Sequence, residues 1–168
     1  ELLGKKINIF DAVYGKNIDL NKLQIFDENI NFNFKYSNIG EVGCYLSHLM
    51  LYKKIMTSNK KYTVIFEDDF IIEDIDIHNK IEKIINDVND FDIIYLGNLN
   101  DNYDIDNKIS ENIYKKKKNQ DLWGTHALLI NNKNINKLYN YIINIDRPID
   151  VKLQELIDES KIKGYVHY

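Results

Sequence analysis

Three consecutive carboxylates, Glu67, Asp68 and Asp69, close the apolar run Tyr62 to Phe66. A short apolar run of this kind reads as a buried strand. Open α/β sheets bind their ligands outside the carboxyl ends of their strands, so the triplet stands where such a sheet does chemistry. Three like charges side by side repel one another and are eased by a cation among them. The cation suited to them is hard, Mn2+ or Mg2+, held by one or two carboxylates and completed by substrate phosphates. The plainer alternative is a strand followed by a solvated acidic turn.

Other familiar chemistries are missing from the chain. There is no GxGxxG and no GxxxxGK[ST] to cradle phosphates, and no CxxC or HExxH to bind zinc. Ser47 and His48 are sequence neighbours, and neighbours on a helix do not face each other, so a serine hydrolase is disfavoured. Cys44 is the sole cysteine, which excludes an internal disulfide framework and fits a reducing compartment. Its apolar context favours a buried structural thiol over a nucleophile. Three regions remain to supply chemistry: residues 40–48, the acidic triplet, and 121–126 together with 148–150.

The elements around these regions alternate. Strands are expected at 7–13, 62–66, 91–97 and 125–130, with a last one in Gly164 to Tyr168. Helices are expected over 40–56, 77–89, the stretch marked by Ile135, Leu138, Tyr139 and Ile142, and 151–161. The helix over 40–56 is apolar nearly all round and therefore buried, and Gly43 within it signals close approach to another backbone. Residues 18–38 give no clear pattern, and 98–120 read as one long polar loop. Alternating strands and helices predict an α/β fold, a single domain with a mainly parallel sheet flanked by helices. Its 168 residues are enough for one real core.

Composition is that of an ordinary soluble globular protein, with 44% hydrophobic and 29% charged residues. A net charge of −4 argues against nucleic acid as a partner. The run Lys115 to Lys118 reads as a solvated patch. No apolar run approaches the ~18 residues of a transmembrane segment, and no signal peptide is expected.

The ordered series GEVGCYLSHLMLYKKI, VIFEDDF, FDIIYLG, WGTHALLINNKNINKLY and RPID resembles glycosyltransferase family 25. That family includes bacterial lipooligosaccharide galactosyltransferases and animal collagen galactosyltransferases. FDAVYGKNI resembles the family's segment near its amino terminus, so the likeness runs from about Phe10 to Asp150. The combination of GExGCxxSH with EDD is specific. The chain begins at Glu1, after the point where relatives have a first strand, and stops at Tyr168, where they continue. The expectation is a family domain over 1–168 that lacks those two ends.

The resemblance implies a GT-A-like fold, a UDP-sugar donor and Mn2+. In that reading Asp69 and Glu67 bind the metal, Asp69 directly and Glu67 through water or by touching the ribose. Extended backbone would put Glu67 and Asp69 on one face and Asp68 on the other. The donor site would also draw on Asp68, Ser47, His48 and Glu41. For Glu41 the alternative is a first-turn acid that the helix dipole favours. His48 has the alternative of a core histidine bonded to a carbonyl. Inversion needs a base for the acceptor hydroxyl. Asp150 fills that role, or caps the following helix, and Asp121 is the second candidate base. Trp123 offers a ring to stack on sugar, although core packing is the commoner fate. His126 reads as core, and His167 as a late metal ligand.

The implied reaction is metal-dependent, inverting transfer of a hexose, galactose foremost, to a glycan, a lipid-linked glycan or a hydroxylysine-type protein acceptor. One alternative is an inactive or partial domain that binds nucleotide-sugar or a partner protein. Another is a hydrolase or nucleotidyltransferase using the same acids, which leaves GExGCxxSH unexplained. The expected location is cytoplasmic, at the inner face of a membrane for a bacterial source, and a large virus is the alternative source.

Overall fold

Most of the apolar strings become strands of one six-stranded sheet in the computed structural model, which describes residues 7–35, 38–71, 76–97 and 103–168. In chain order the strands are β1 (Asn31–Phe32), β2 (Tyr62–Phe66), β3 (Ile93–Tyr95), β4 (Tyr103–Ser110), β5 (Ile113–Lys116), β6 (Ala127–Asn131), β7 (Asn144–Ile145) and β8 (Gly164–His167). The helices are α1 (Ile39–Met56), α2 (Ile77–Asp87), α3 (Ile135–Ile142) and α4 (Ile149–Asp158).

The main sheet has the order β2-β6-β3-β8-β5-β4, and β1 and β7 form a separate parallel pair. Within the main sheet only β3 and β8 pair in parallel; β2–β6, β3–β6, β4–β5 and β5–β8 are antiparallel. The α/β class stands and the mainly parallel sheet does not. Parallel neighbours need a long crossover, usually a helix. Between β3 and β6 the described chain forms the β4–β5 hairpin instead, and β6 then runs back antiparallel between β2 and β3. That hairpin also replaces most of the long loop expected over 98–120, of which 98–102 lie outside the described residues.

Side-chain alternation gives the sheet two apolar faces. Ile65, Ile93, Tyr95, Leu128, Ile130 and Val166 join α1, α3 and α4 in the larger core. Ile94, Ile113 and Leu129 meet Ile84 of α2 on the other face. Each of these aliphatic side chains contributes about 1.5–3 kcal/mol on burial.

Helix α1 buries Val42, Tyr45, Leu46, Leu49, Tyr52 and Ile55, whereas Met56 at its end is 40% exposed. Its start is set by a capping box in which the Asn38 side chain accepts a backbone N–H and Glu41 reaches back to the Asn38 N–H at 3.3 Å. Gly43 does meet another backbone. A Cβ there would lie 2.8 Å from Val13 O and 2.9 Å from Gly15 N.

The expected strand at 7–13 is not formed. Val13 N–H donates to Ser47 Oγ at 2.8 Å, so this segment docks on α1 and not on a sheet edge. The basic run is not simply solvated either. Lys116 is buried, and its ammonium makes bonds of 2.9 and 3.0 Å to the two carboxylate oxygens of Asp158.

Candidate active site

The register of the sheet brings the acidic triplet and the 125–126 segment together. Phe66 pairs with Ala127, and one step further Glu67 N–H donates to His126 O at 2.9 Å. Glu67 follows Ile65 by two residues and so faces α1. On α1, Cys44, His48 and Tyr52 recur every four residues, a spacing that stacks them along one side of the helix. The carboxyl end of β2 therefore points its acid at the row.

His48 is buried, and its Nε2 lies 2.9 Å from Glu67 Oε1, which accepts the bond. Thr125, also buried, donates its hydroxyl to the same oxygen at 2.5 Å. The His48 hydrogen bond is the largest cause holding the Glu67 carboxyl below its usual range, and the Thr125 bond adds to it against the cost of burial. Glu67 is thus a fixed, ionised carboxylate with its second oxygen, Oε2, outside both bonds. The Nδ1 of His48 is buried and has no hydrogen-bond partner among the described residues.

Cys44, His48 and Glu67 place their possible ligand atoms within 4.8 Å of one another, the one such trio among the described residues. Burial first, then the charges of Glu67, Asp150 and Asp69, push the Cys44 thiol up to about 12. A protonated thiol, an imidazole and one shared carboxylate oxygen are poor donors for Mn2+ or Mg2+, which take oxygen. The oxygen donors lie next along the chain: Glu67 Oε2 and the exposed side chains of Asp68 and Asp69. Their chemistry fits a hard cation shared with a diphosphate. The alternation expected to pair Glu67 with Asp69 does not apply, because β2 ends at Phe66 and Asp68 and Asp69 form a turn.

Asp150 sits in the first turn of α4, two residues past the N-cap Pro148, so it is not the cap. Its carboxylate accepts from Val151 N at 2.8 Å and from Gly124 N at 3.5 Å. Gly124 reaches it with φ 89°, a left-handed geometry that suits glycine. Ile149 and Leu153, which flank Asp150 in α4, pack into the same core as α1 and Ile65, on the side of the sheet that Glu67 faces.

The remaining sequence candidates divide. Asp121 is exposed, and Trp123 is 56% exposed and not in the core. His126 precedes β6 and is half-buried, and its ring lies beside Gly97 and its charge helps lower Glu67. Ser47 donates to Gly43 O at 2.7 Å and accepts from Val13 N. Glu41 is exposed and serves the capping box. His167 lines a small cleft with Lys80, Lys83, Asp87 and Glu111, and burial and Lys80 lower its pKa, so it is not gathered with Glu67.

Sequence reasoning missed Thr125 and Gln154 and left Cys44 out of the site. A usable signal existed for Cys44, which stands four residues before His48. Gln154 lies between Leu153 and Leu156 on a buried helix face, an amide where an apolar residue is expected. Thr125 had no readable signal, since its role depends on where β6 begins.

A family model described as glycosyltransferase family 25 (LPS biosynthesis protein) matches residues 1–153. The chain is 34% identical over 101 residues to procollagen galactosyltransferase 1-A of Xenopus laevis, covering 53% of this chain and 16% of that protein. A glycosyltransferase 25 family member of Aedes aegypti is 27% identical over 106 residues, covering 56% and 17%. A probable inactive glycosyltransferase 25 family member 3 of Rattus norvegicus is 37% identical over 62 residues, covering 34% and 11%. The chain spans less than a fifth of the length of these relatives.

Proposed function

Because this chain belongs to glycosyltransferase family 25, we propose that it is a GT-A-type, metal-dependent, inverting hexosyltransferase. The donor is a UDP-sugar, UDP-galactose first, and the acceptor is a glycan or a hydroxylysine-type protein side chain. The observation that supports this reading is the fixed Glu67 carboxylate, bonded by His48 and Thr125 at the end of β2, with Asp68 and Asp69 exposed beside it. The names of the relatives support galactose as the sugar.

Asp69 and Glu67 Oε2 are the groups that hold Mn2+ or Mg2+. When bound, the cation supplies Lewis-acid neutralisation of the charge on the departing diphosphate. His48 and Thr125 keep Glu67 ionised and aimed. Asp150 takes the proton from the acceptor hydroxyl, with Asp121 the second candidate base. Trp123 presents an exposed ring to a sugar face. Asp68 remains available to the donor, whereas the bonds of Ser47 and Glu41 give them parts in holding α1.

Transfer of labelled galactose from UDP-galactose to a panel of glycans and hydroxylysine peptides, with Mn2+ and after chelation, tests the proposal. Mn2+-dependent transfer supports it, and transfer unchanged by chelation contradicts it.

A second reading is a domain that binds nucleotide-sugar or a partner without turnover. Likeness to a relative named as probably inactive favours it. Donor binding without transfer would select this reading over the first. No helix among the described residues is long and apolar enough to cross a membrane, so neither reading draws on a helical anchor within them.

A further inference from the structure

Residues 117–126, which lead from β5 to β6, contain no helix or strand, yet they deliver Gly124 to Asp150 and Thr125 to Glu67. One side chain supplies what a neighbouring strand would have given this segment. Gln154 Oε1 accepts from Leu122 N at 2.8 Å, and Gln154 Nε2 donates to Leu122 O at 2.6 Å. Both polar groups of one residue are thereby bonded by a single amide that is itself only 5% exposed.

Gln154 and Asp150 are four residues apart on α4, so they lie on one side of it, one turn from each other. Leu122 and Gly124, their partners, are two residues apart in the segment. The helix therefore holds the segment at two points in a fixed register, and Thr125 is the next residue along. A slip of one residue would take Gly124 N–H from Asp150 and the Thr125 hydroxyl from Glu67 together.

We propose that Gln154 is the positioning residue of the site: it acts through the Leu122 peptide to set Asp150 and Glu67 in register with each other. The inference rests on the transferase reading for its kinetic consequence, but not for its structural one. Gln154 touches neither donor nor acceptor in this account. Because His48 still holds Glu67, its loss lowers the rate of transfer and leaves donor affinity nearly intact.

Trp123, the sole tryptophan, lies between Leu122 and Gly124 and reports on the segment without a label. The test compares wild type with Gln154→Met, which keeps the volume and removes both bonds. Acrylamide quenching of Trp123 is read first, followed by UDP-galactose affinity and transfer kcat. Expected for Gln154→Met is stronger quenching, an affinity within about threefold of wild type and a kcat at least about tenfold lower, since small misplacements of reacting groups are costly. Thr125→Val added to Gln154→Met should lower kcat by less than about twofold more, because the two residues act in series. Quenching and kcat both at wild-type values in a folded Gln154→Met would overturn the proposal and leave the buried Leu122 side chain as the anchor. If Gln154→Met does not fold, Gln154→Ala, which also removes both bonds, decides: wild-type quenching overturns the inference, and raised quenching upholds it. Quenching that rises in Gln154→Met when wild type itself transfers nothing would refute the transferase reading and retain Gln154 as the segment's clamp.

Discussion

His48 Nε2 and Glu67 Oε1 lie 2.9 Å apart across 19 positions of sequence, the first on a buried helix and the second at the end of a strand. The contact joins the two most specific strings of the chain, GEVGCYLSH and FEDD. It gives the histidine a reason to be in the core and the glutamate a reason to be ionised there. A buried histidine bonded to a carboxylate differs from one satisfied by a carbonyl, because replacing either partner leaves the other exposed to an uncompensated loss.

The acid limb of stability follows from this bond. Glu67 has a folded pKa below the ordinary 4.5 of a glutamate, with the His48 bond as the largest cause. A lowered carboxyl adds stability above its unfolded value and loses it as pH falls through the folded one. Wild type should therefore lose stability below about pH 4.5 more steeply than Glu67→Gln does. Urea melts at pH 7, 5, 4 and 3 check the difference in slope, and parallel curves for the two proteins would be inconsistent with the bond.

Asp150→Asn should separate binding from chemistry. The side chain keeps its size and an acceptor for Val151 N–H, so the fold should hold. As the base for the acceptor hydroxyl, its loss should lower transfer by roughly 10²–10⁴-fold with donor affinity nearly unchanged. Steady-state transfer and UDP-galactose binding on the same preparation measure both effects. An activity within a few-fold of wild type would move the base to Asp121.

Much of this frame was legible in the sequence, and the reasons are local. Strand β2 was placed to the residue because the apolar run Tyr62 to Phe66 is bounded by charge. Helices α1 and α3 were marked closely by their apolar spacing, and Gly43 announced a backbone contact that the fold contains. Strand direction was not legible. Nothing in ALLIN says that β6 runs against both of its neighbours, because a buried strand is apolar in either orientation. The β4–β5 hairpin escaped notice because β4 is largely exposed and polar, and its turn uses Asn112 at φ 59° without a glycine. The turn at Asp68 and Asp69 was legible as the plainer of the two readings of the triplet, since aspartate favours turns over strands.

Gly43→Ala tests the backbone contact between α1 and the 13–15 segment. The added methyl would stand 2.8 Å from Val13 O and 2.9 Å from Gly15 N, both main-chain atoms. Overpacking of this kind costs about 1–3 kcal/mol. Chemical denaturation should show a loss in that range, with the 13–15 segment displaced from α1. A neutral result would mean that the segment is not docked as described.

Lys116→Ala tests the buried ion pair. The Lys116 side chain is 1% exposed and that of Asp158 21%. Removing one member of such a pair costs about 3–5 kcal/mol, the lower end applying here because Asp158 retains some water. Thermal melts of Lys116→Ala and of the double variant with Asp158→Asn check it, and the double variant should be the less destabilised relative to the sum of its singles.

The central claim is a donor site built on Glu67 and Asp69. Its most direct test is calorimetric titration of UDP-galactose into the chain with and without Mn2+, repeated on Asp69→Ala. Binding should require Mn2+ and disappear in Asp69→Ala while the variant stays folded. Binding of equal strength in the absence of metal, or undiminished in Asp69→Ala, would contradict it.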